Sequence, residues 1–200
     1  MNQPVWEQVL DYWFGEQAIP DDSQKKKWFS GGDSVDQEIR QRFGHLHHQL
    51  TTVGIPEDWP ETGPAILAAI IVIDQFSRNL FRGKREAFAW DPSALSWADA
   101  GWQQGIFASL PACQQAFAVL PLVHSEDLAA QDRALKLLEG IKAEVSGADA
   151  IITGFYSSAQ QHRDIISRFG RYPHRNEVLG RSSTEAERHF LLAGAQRFGQ

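Results

Sequence analysis

The chain has 200 residues, 42% hydrophobic and 22% charged, enough apolar material to bury one sizeable core. Its formal net charge of −6 argues against a protein built to coat nucleic acid, which requires a broadly basic surface. Cys113 is the single cysteine, so an internal disulfide and a cysteine-based zinc site are both excluded.

The first element, "PVWEQVLDYWFG", has Pro4 at an early helical position and Gly15 past its end. Trp6, Val9, Leu10, Trp13 and Phe14 fall on one face. This segment lacks the basic start, apolar run and cleavage site of a secretory signal. The longest apolar run, "AILAAIIVI" at 65–73, is too short to cross a bilayer as a helix. A cytoplasmic protein without a membrane partner is expected. A second helix begins at Asp33 or Ser34, with Val35, Ile39, Phe43, Leu46 and Leu50 as its buried stripe. His47 and His48 fall off that stripe and are expected to face solvent.

The third helix runs from Pro64 to Leu80. Residues 66–73 are apolar on every side, the mark of a helix buried all round. "DQFSRNLFRG" then breaks the pattern. Asp74, Arg78 and Arg82 recur every four residues with Gln75 and Asn79 beside them, so helical spacing predicts one polar sector. Read as an exposed i,i+4 pair, Asp74 and Arg78 contribute only about 0.3–0.5 kcal/mol. Read as a cavity wall, the sector marks a site, because buried charges are costly unless paired.

A fourth helix opens at "DPSAL", where Asp91 can cap and Pro92 fits the first turn. Shorter helices follow Pro111 and Ser125. Ser125 reads as an N-cap, with Glu126 and Asp127 in the first turn complementing the dipole. His124, beside that N-terminus, is expected to stay neutral. A long helix from Ala148 to Phe169 carries Ile152, Phe155, Ala159, His162 and Ile166 on one stripe and stops at Gly170. His162 reads as a core histidine or as a site partner. Beyond it, His174, Arg175 and Asn176 follow Pro173 in a turn. The helix dipole accounts for Arg168 and Arg171 but not for Arg175 and Arg181. In the last helix Thr184 caps and Glu187 completes a capping box. No alternating strand appears. The expected fold is all-α, with about eight helices in one domain spanning residues 1–200.

Cofactor signals are weak. "SGGDS" lacks the lysine of a phosphate loop, and no Rossmann fingerprint or nucleophile elbow occurs. His124, Glu126, His162 and His174 match no close-set zinc motif. No metal and no cofactor are expected.

Four segments, "VLDYWFG", "VIDQFSRNLFRG", "LPLVHSED" with Gln131 downstream, and "HRDIISRFGRYPHRN" through "LGRSSTEAE", together resemble the bacterial domain-of-unknown-function 924 family. The resemblance covers nearly the whole chain. It implies a fold of antiparallel helix pairs like that of tetratricopeptide-repeat proteins, and no established activity. The family pattern often has proline where this chain has Ser77. Serine keeps the backbone donor, so a straighter third helix is expected here.

The leading functional expectation is a polar pocket for a small anionic ligand. Its walls would be Asp74, Gln75, Arg78, Asn79, Arg82, Glu126, Arg168, Arg175, Asn176 and Arg181. Guanidinium forks suit carboxylate or phosphate, and His124, His162 and His174 are the acid–base candidates. The alternative is a tetratricopeptide-repeat-like scaffold that binds a protein or peptide without catalysis. A third reading treats Asp74, Arg78 and Glu126 as internally paired structural glue.

Overall fold

The computed structural model describes residues 3–15, 20–29, 31–145 and 149–194; among them all regular structure is helical. In chain order the helices are α1 (Val5–Phe14), α2 (Asp22–Phe29), α3 (Asp33–Thr52), α4 (Gly63–Ile70), α5 (Ser77–Leu80), α6 (Asp91–Gln103), α7 (Ala112–His124), α8 (Leu128–Glu144), α9 (Ala150–Phe169) and α10 (Glu185–Leu192). A π turn, Ile71–Phe76, joins α4 and α5 into one rod. The described residues therefore hold nine helices rather than about eight. The addition is α2, whose sequence DSQKKKWF has no apolar stripe and buries no residue completely. It forms through local bonds instead. The Asp21 carboxylate accepts from the Ser23 and Gln24 amides at 2.8 and 3.0 Å, and the Trp28 indole donates to Trp13 O at 2.9 Å.

The rod runs through the core. Leu67, Ala68, Ile71 and Val72 are fully buried, as an all-apolar helix requires. α1 and α3 pack against it, α6 and α7 also touch it, and α7, α8 and α9 stack consecutively. Aromatic edges join α1 to the rod and to α7: Trp13 meets Phe76 of the rod at 5.3 Å between centroids and Phe14 meets Phe117 of α7 at 5.2 Å. A second, smaller cluster of Ile165, Ile166 and Tyr172, with Phe169 and Phe190, gathers around the end of α9.

The rod is not the regular helix expected from Ser77. The Ser77 hydroxyl donates to Ile73 O at 2.6 Å, a bond back to the preceding turn that competes with the helical ladder, and the π turn precedes it directly. Two other expectations change at helix starts. Trp90, not Asp91, occupies the N-cap position of α6. α8 begins at Leu128 with Asp127 as its cap, so Glu126 lies outside the first turn.

The caps of the last two helices follow their sequence signals. Asp149 accepts from the Ile151 and Ile152 amides, and Gly170 ends α9 in the left-handed conformation at φ 68°. Ala148, the expected first residue of this helix, lies outside the described residues. The Thr184–Glu187 capping box is formed. Among the described residues no helix is long and apolar enough to cross a membrane.

Candidate functional site

The π turn brings Asp74 to the centre of a charged network. Its carboxylate is fully buried and receives three groups. These are Nδ1 of His124 at 2.8 Å, a guanidinium nitrogen of Arg78 at 3.2 Å and the Gln75 amide at 2.5 Å. Burial alone would push the Asp74 carboxyl up, but Arg78 and His124 together hold it below the usual carboxylate range. It is therefore ionised. His124, the last residue of α7, has its pKa lowered by burial first and then by Arg78, with Asp74 pulling the other way. A neutral imidazole beside an ionised carboxylate places the proton on Nδ1, so Nδ1–H donates to Asp74. Nε2 then carries the lone pair and has no hydrogen-bond partner among the described residues.

Arg78 does not end at Asp74. Its guanidinium also donates to both oxygens of Asp91, at 3.1 and 3.2 Å, and Arg175 reaches the same carboxylate at 3.2 Å. Arg175 donates as well to His124 O at 3.1 Å. Its plane lies against two rings, 4.6 Å from the centroid of Phe88 and 4.5 Å from that of Tyr172. Two carboxylates and two guanidinia thus balance, and His162 adds a neutral neighbour. Its ring centroid is 6.5 Å from that of His124. Burial pushes the His162 pKa down to about 3, and its Nδ1–H donates to Ser158 O at 2.8 Å. Within this network Nε of Arg175 is a buried donor with no hydrogen-bond partner among the described residues.

A second knot lies next to the first through Tyr172. Glu126 accepts from both terminal nitrogens of Arg181 at 2.6 and 2.9 Å and from the Tyr172 amide at 2.8 Å. Arg181 donates to Asn176 Oδ1 at 3.0 Å, and Asn176 donates to the Ser183 hydroxyl. Freed from the α8 cap, Glu126 pins the loop that follows α9. Burial raises the Glu126 carboxyl, but the Arg181 and Tyr172 bonds outweigh it and hold it low. The Tyr172 hydroxyl is buried; it donates to Val123 O and accepts from the Gln131 amide at 2.8 Å. The tilted rings of Tyr172 and His174 lie 5.5 Å apart.

The family model described as "Bacterial protein of unknown function (DUF924)" matches residues 9–195. The chain belongs to this family. No curated protein matches it. A solved structure of a protein of unknown function from Agrobacterium tumefaciens, ATU0120, is similar, with a TM-score of 0.80 and 33% identity. The match covers 95% of this chain and 98% of that one.

In this DUF924 chain the polar sector read from helical spacing splits. Asp74, Gln75 and Arg78 belong to the network. Asn79 instead donates to Asp36 of α3 at 2.8 Å, and Arg82 meets the same carboxylate at 2.9 Å. The cause is local: α5 ends at Leu80, so Arg82 is no longer on the helical line. Arg168 is also apart, exposed and lying over Phe169 and Phe190. His47, expected in solvent, is buried; its Nε2 meets the Ser77 hydroxyl at 2.8 Å. His48 is exposed as expected. Asp91, Phe88 and Tyr172 were not among the site residues expected from sequence. Asp91 looked like a cap, and nothing in the spacing of Phe88 or Tyr172 marks a partner for Arg175.

Proposed function

We propose that this DUF924 protein binds a small anionic molecule, a carboxylate or phosphate, where Arg78 and Arg175 share Asp91. The observation that carries the reading is the state of His124. Asp74 fixes its tautomer, and its second nitrogen is unpartnered among the described residues, while the neighbouring guanidinia of Arg78 and Arg175 already share the Asp91 carboxylate. In this reading Asp91 stands where a ligand's acid group would bind, and the Arg175 Nε–H is a buried donor without a partner among the described residues.

The charge balance sets the mechanism. Asp74 and Asp91 cancel Arg78 and Arg175, so an arriving anion leaves the shell one negative charge in excess. His124 relieves that excess by taking a proton on Nε2, which also makes it the acid–base candidate of the site. Binding then strengthens as pH falls from 7.5 towards 6. Replacing Asp91 by asparagine removes the internal competitor and raises anion affinity. Native mass spectrometry of the Asp91→Asn protein with a metabolite pool, followed by titration of the retained species, tests both points. A folded Asp91→Asn protein that holds no anion at either pH defeats the proposal.

The same reading takes the consecutive packing of α6 to α9 as a tetratricopeptide-repeat-like stack in a cytoplasmic protein. The consecutive helix-on-helix contacts support the stack.

A further inference from the structure

A hollow opens between α3 and the end of the rod. Its volume is about 180 Å³, and Arg40, Gly44, His47, Thr51, Phe81 and Trp90 line it. A cavity of about 150 Å³ accommodates benzene, so the space suits one six-membered ring. Three aromatic groups form its wall. The His47 ring lies 4.7 Å from that of Trp90 and 5.5 Å from that of Phe81, and Phe81 and Trp90 are themselves 5.5 Å apart.

The polar groups of this hollow have defined roles. The Ser77 hydroxyl has one hydrogen, and it goes to Ile73 O at 2.6 Å. Ser77 must therefore accept from His47, so the proton of that imidazole sits on Nε2. Nδ1 is left as an acceptor with no partner among the described residues. Burial, reinforced by His48, pushes the His47 pKa down to about 4 and keeps the ring neutral. Arg40 donates to Leu80 O at 2.7 Å and, unlike Arg78, Arg175 and Arg181, has no carboxylate in ion-pair contact among the described residues. Asp36, one turn earlier, feels its charge but is bound to Arg82 and Asn79.

Gly44 lies between these groups. It sits in the middle of a 20-residue helix, where glycine costs about 1 kcal/mol relative to alanine. No close neighbour demands it, since a Cβ there would meet nothing within 4 Å. Its bareness leaves the floor of the hollow open. Arg40 and His47 are two turns apart, about 10 Å along the axis, with the glycine between them.

We propose that this hollow is a binding site for a single-ring aromatic acid with a hydrogen-bond donor opposite its carboxylate. The carboxylate pairs with Arg40, the ring lies over Gly44 against Phe81 and Trp90, and the donor bonds to Nδ1 of His47. The site is separate from the Asp74–His124 network and does not depend on the function proposed for it.

4-Hydroxybenzoate is the probe. Isothermal titration should show saturable binding at one site, and the His47 Nδ1 resonance should shift upfield as it accepts the phenol proton. Gly44→Leu fills the floor and should abolish binding while leaving the circular dichroism spectrum unchanged. Arg40→Ala should weaken binding about tenfold, the loss expected for one charge-assisted bond. Asp91→Asn should leave it intact, which separates this site from the network. Absence of saturable binding by the wild-type protein overturns the proposal, as does equal affinity in the Gly44→Leu or Arg40→Ala protein.

Discussion

Asp74 and Ser77 stand three residues apart on the same rod, and each fixes one imidazole: a carboxylate holds the partly buried His124 and a hydroxyl holds the buried His47. The partner decides what surrounds the ring. A buried carboxylate demands cations, so Arg78 and, through Asp91, Arg175 collect around His124. A neutral hydroxyl demands none, so His47 is walled by Phe81 and Trp90. One region is held by compensated charge and the other by packing and a single neutral bond. They should fail in different ways.

The largest effect is expected at Arg78. Arg78→Ala strands the buried Asp74 and weakens the hold on Asp91, and should cost about 3–5 kcal/mol in urea unfolding. A loss below about 1 kcal/mol would place the charges in contact with water and erase the contrast. Acid comes next. His47 and His162 are neutral when folded, with pKa values of about 4 and 3, and titrate near 6.5 when unfolded. Below pH 6.5 the unfolded chain binds more protons, so stability falls as pH drops. The two together should remove about 3 kcal/mol by pH 5.5. Above about pH 7.5 this contribution is flat. A denaturation series that does not change between pH 7 and 5.5 rules out neutral burial of both rings.

Ser77→Ala removes the hydroxyl that meets His47 and its back-bond to Ile73 O. It leaves the Nε2–H without an acceptor and should cost about 1–3 kcal/mol, with no change in the pH dependence of anion binding at the network. The smallest effect belongs to Arg82→Ala. Its pair with Asp36 is 41% exposed on the arginine side, and a loss under about 1 kcal/mol is expected. Thermal melts of the four proteins would rank the regions directly.

What could be read from the sequence was local. The all-helical class, the dry start of the rod, the glycine stop after Phe169 and the Thr184–Glu187 box each depend on residues within a few positions of one another. What could not be read was long-range. Arg175 and Asp91 are 84 positions apart, and no periodicity links them. Helix α2 escaped notice because it is held by Asp21 and Trp28 rather than by a stripe. His47 escaped because an imidazole off the apolar line can still be buried when a hydroxyl from another helix meets it. Arg82 falls on the polar sector only if the helix continues past Leu80, where it stops.

The π turn across Ile71–Phe76 acts as a one-residue insertion in the rod. Rewinding the same residues as ordinary α-helix would rotate everything downstream by about 100° relative to α4. Asp74 would then no longer share a bearing with His124, nor Ser77 with His47. A regularly wound rod would keep its helical content while both imidazoles lost their anchors in one step.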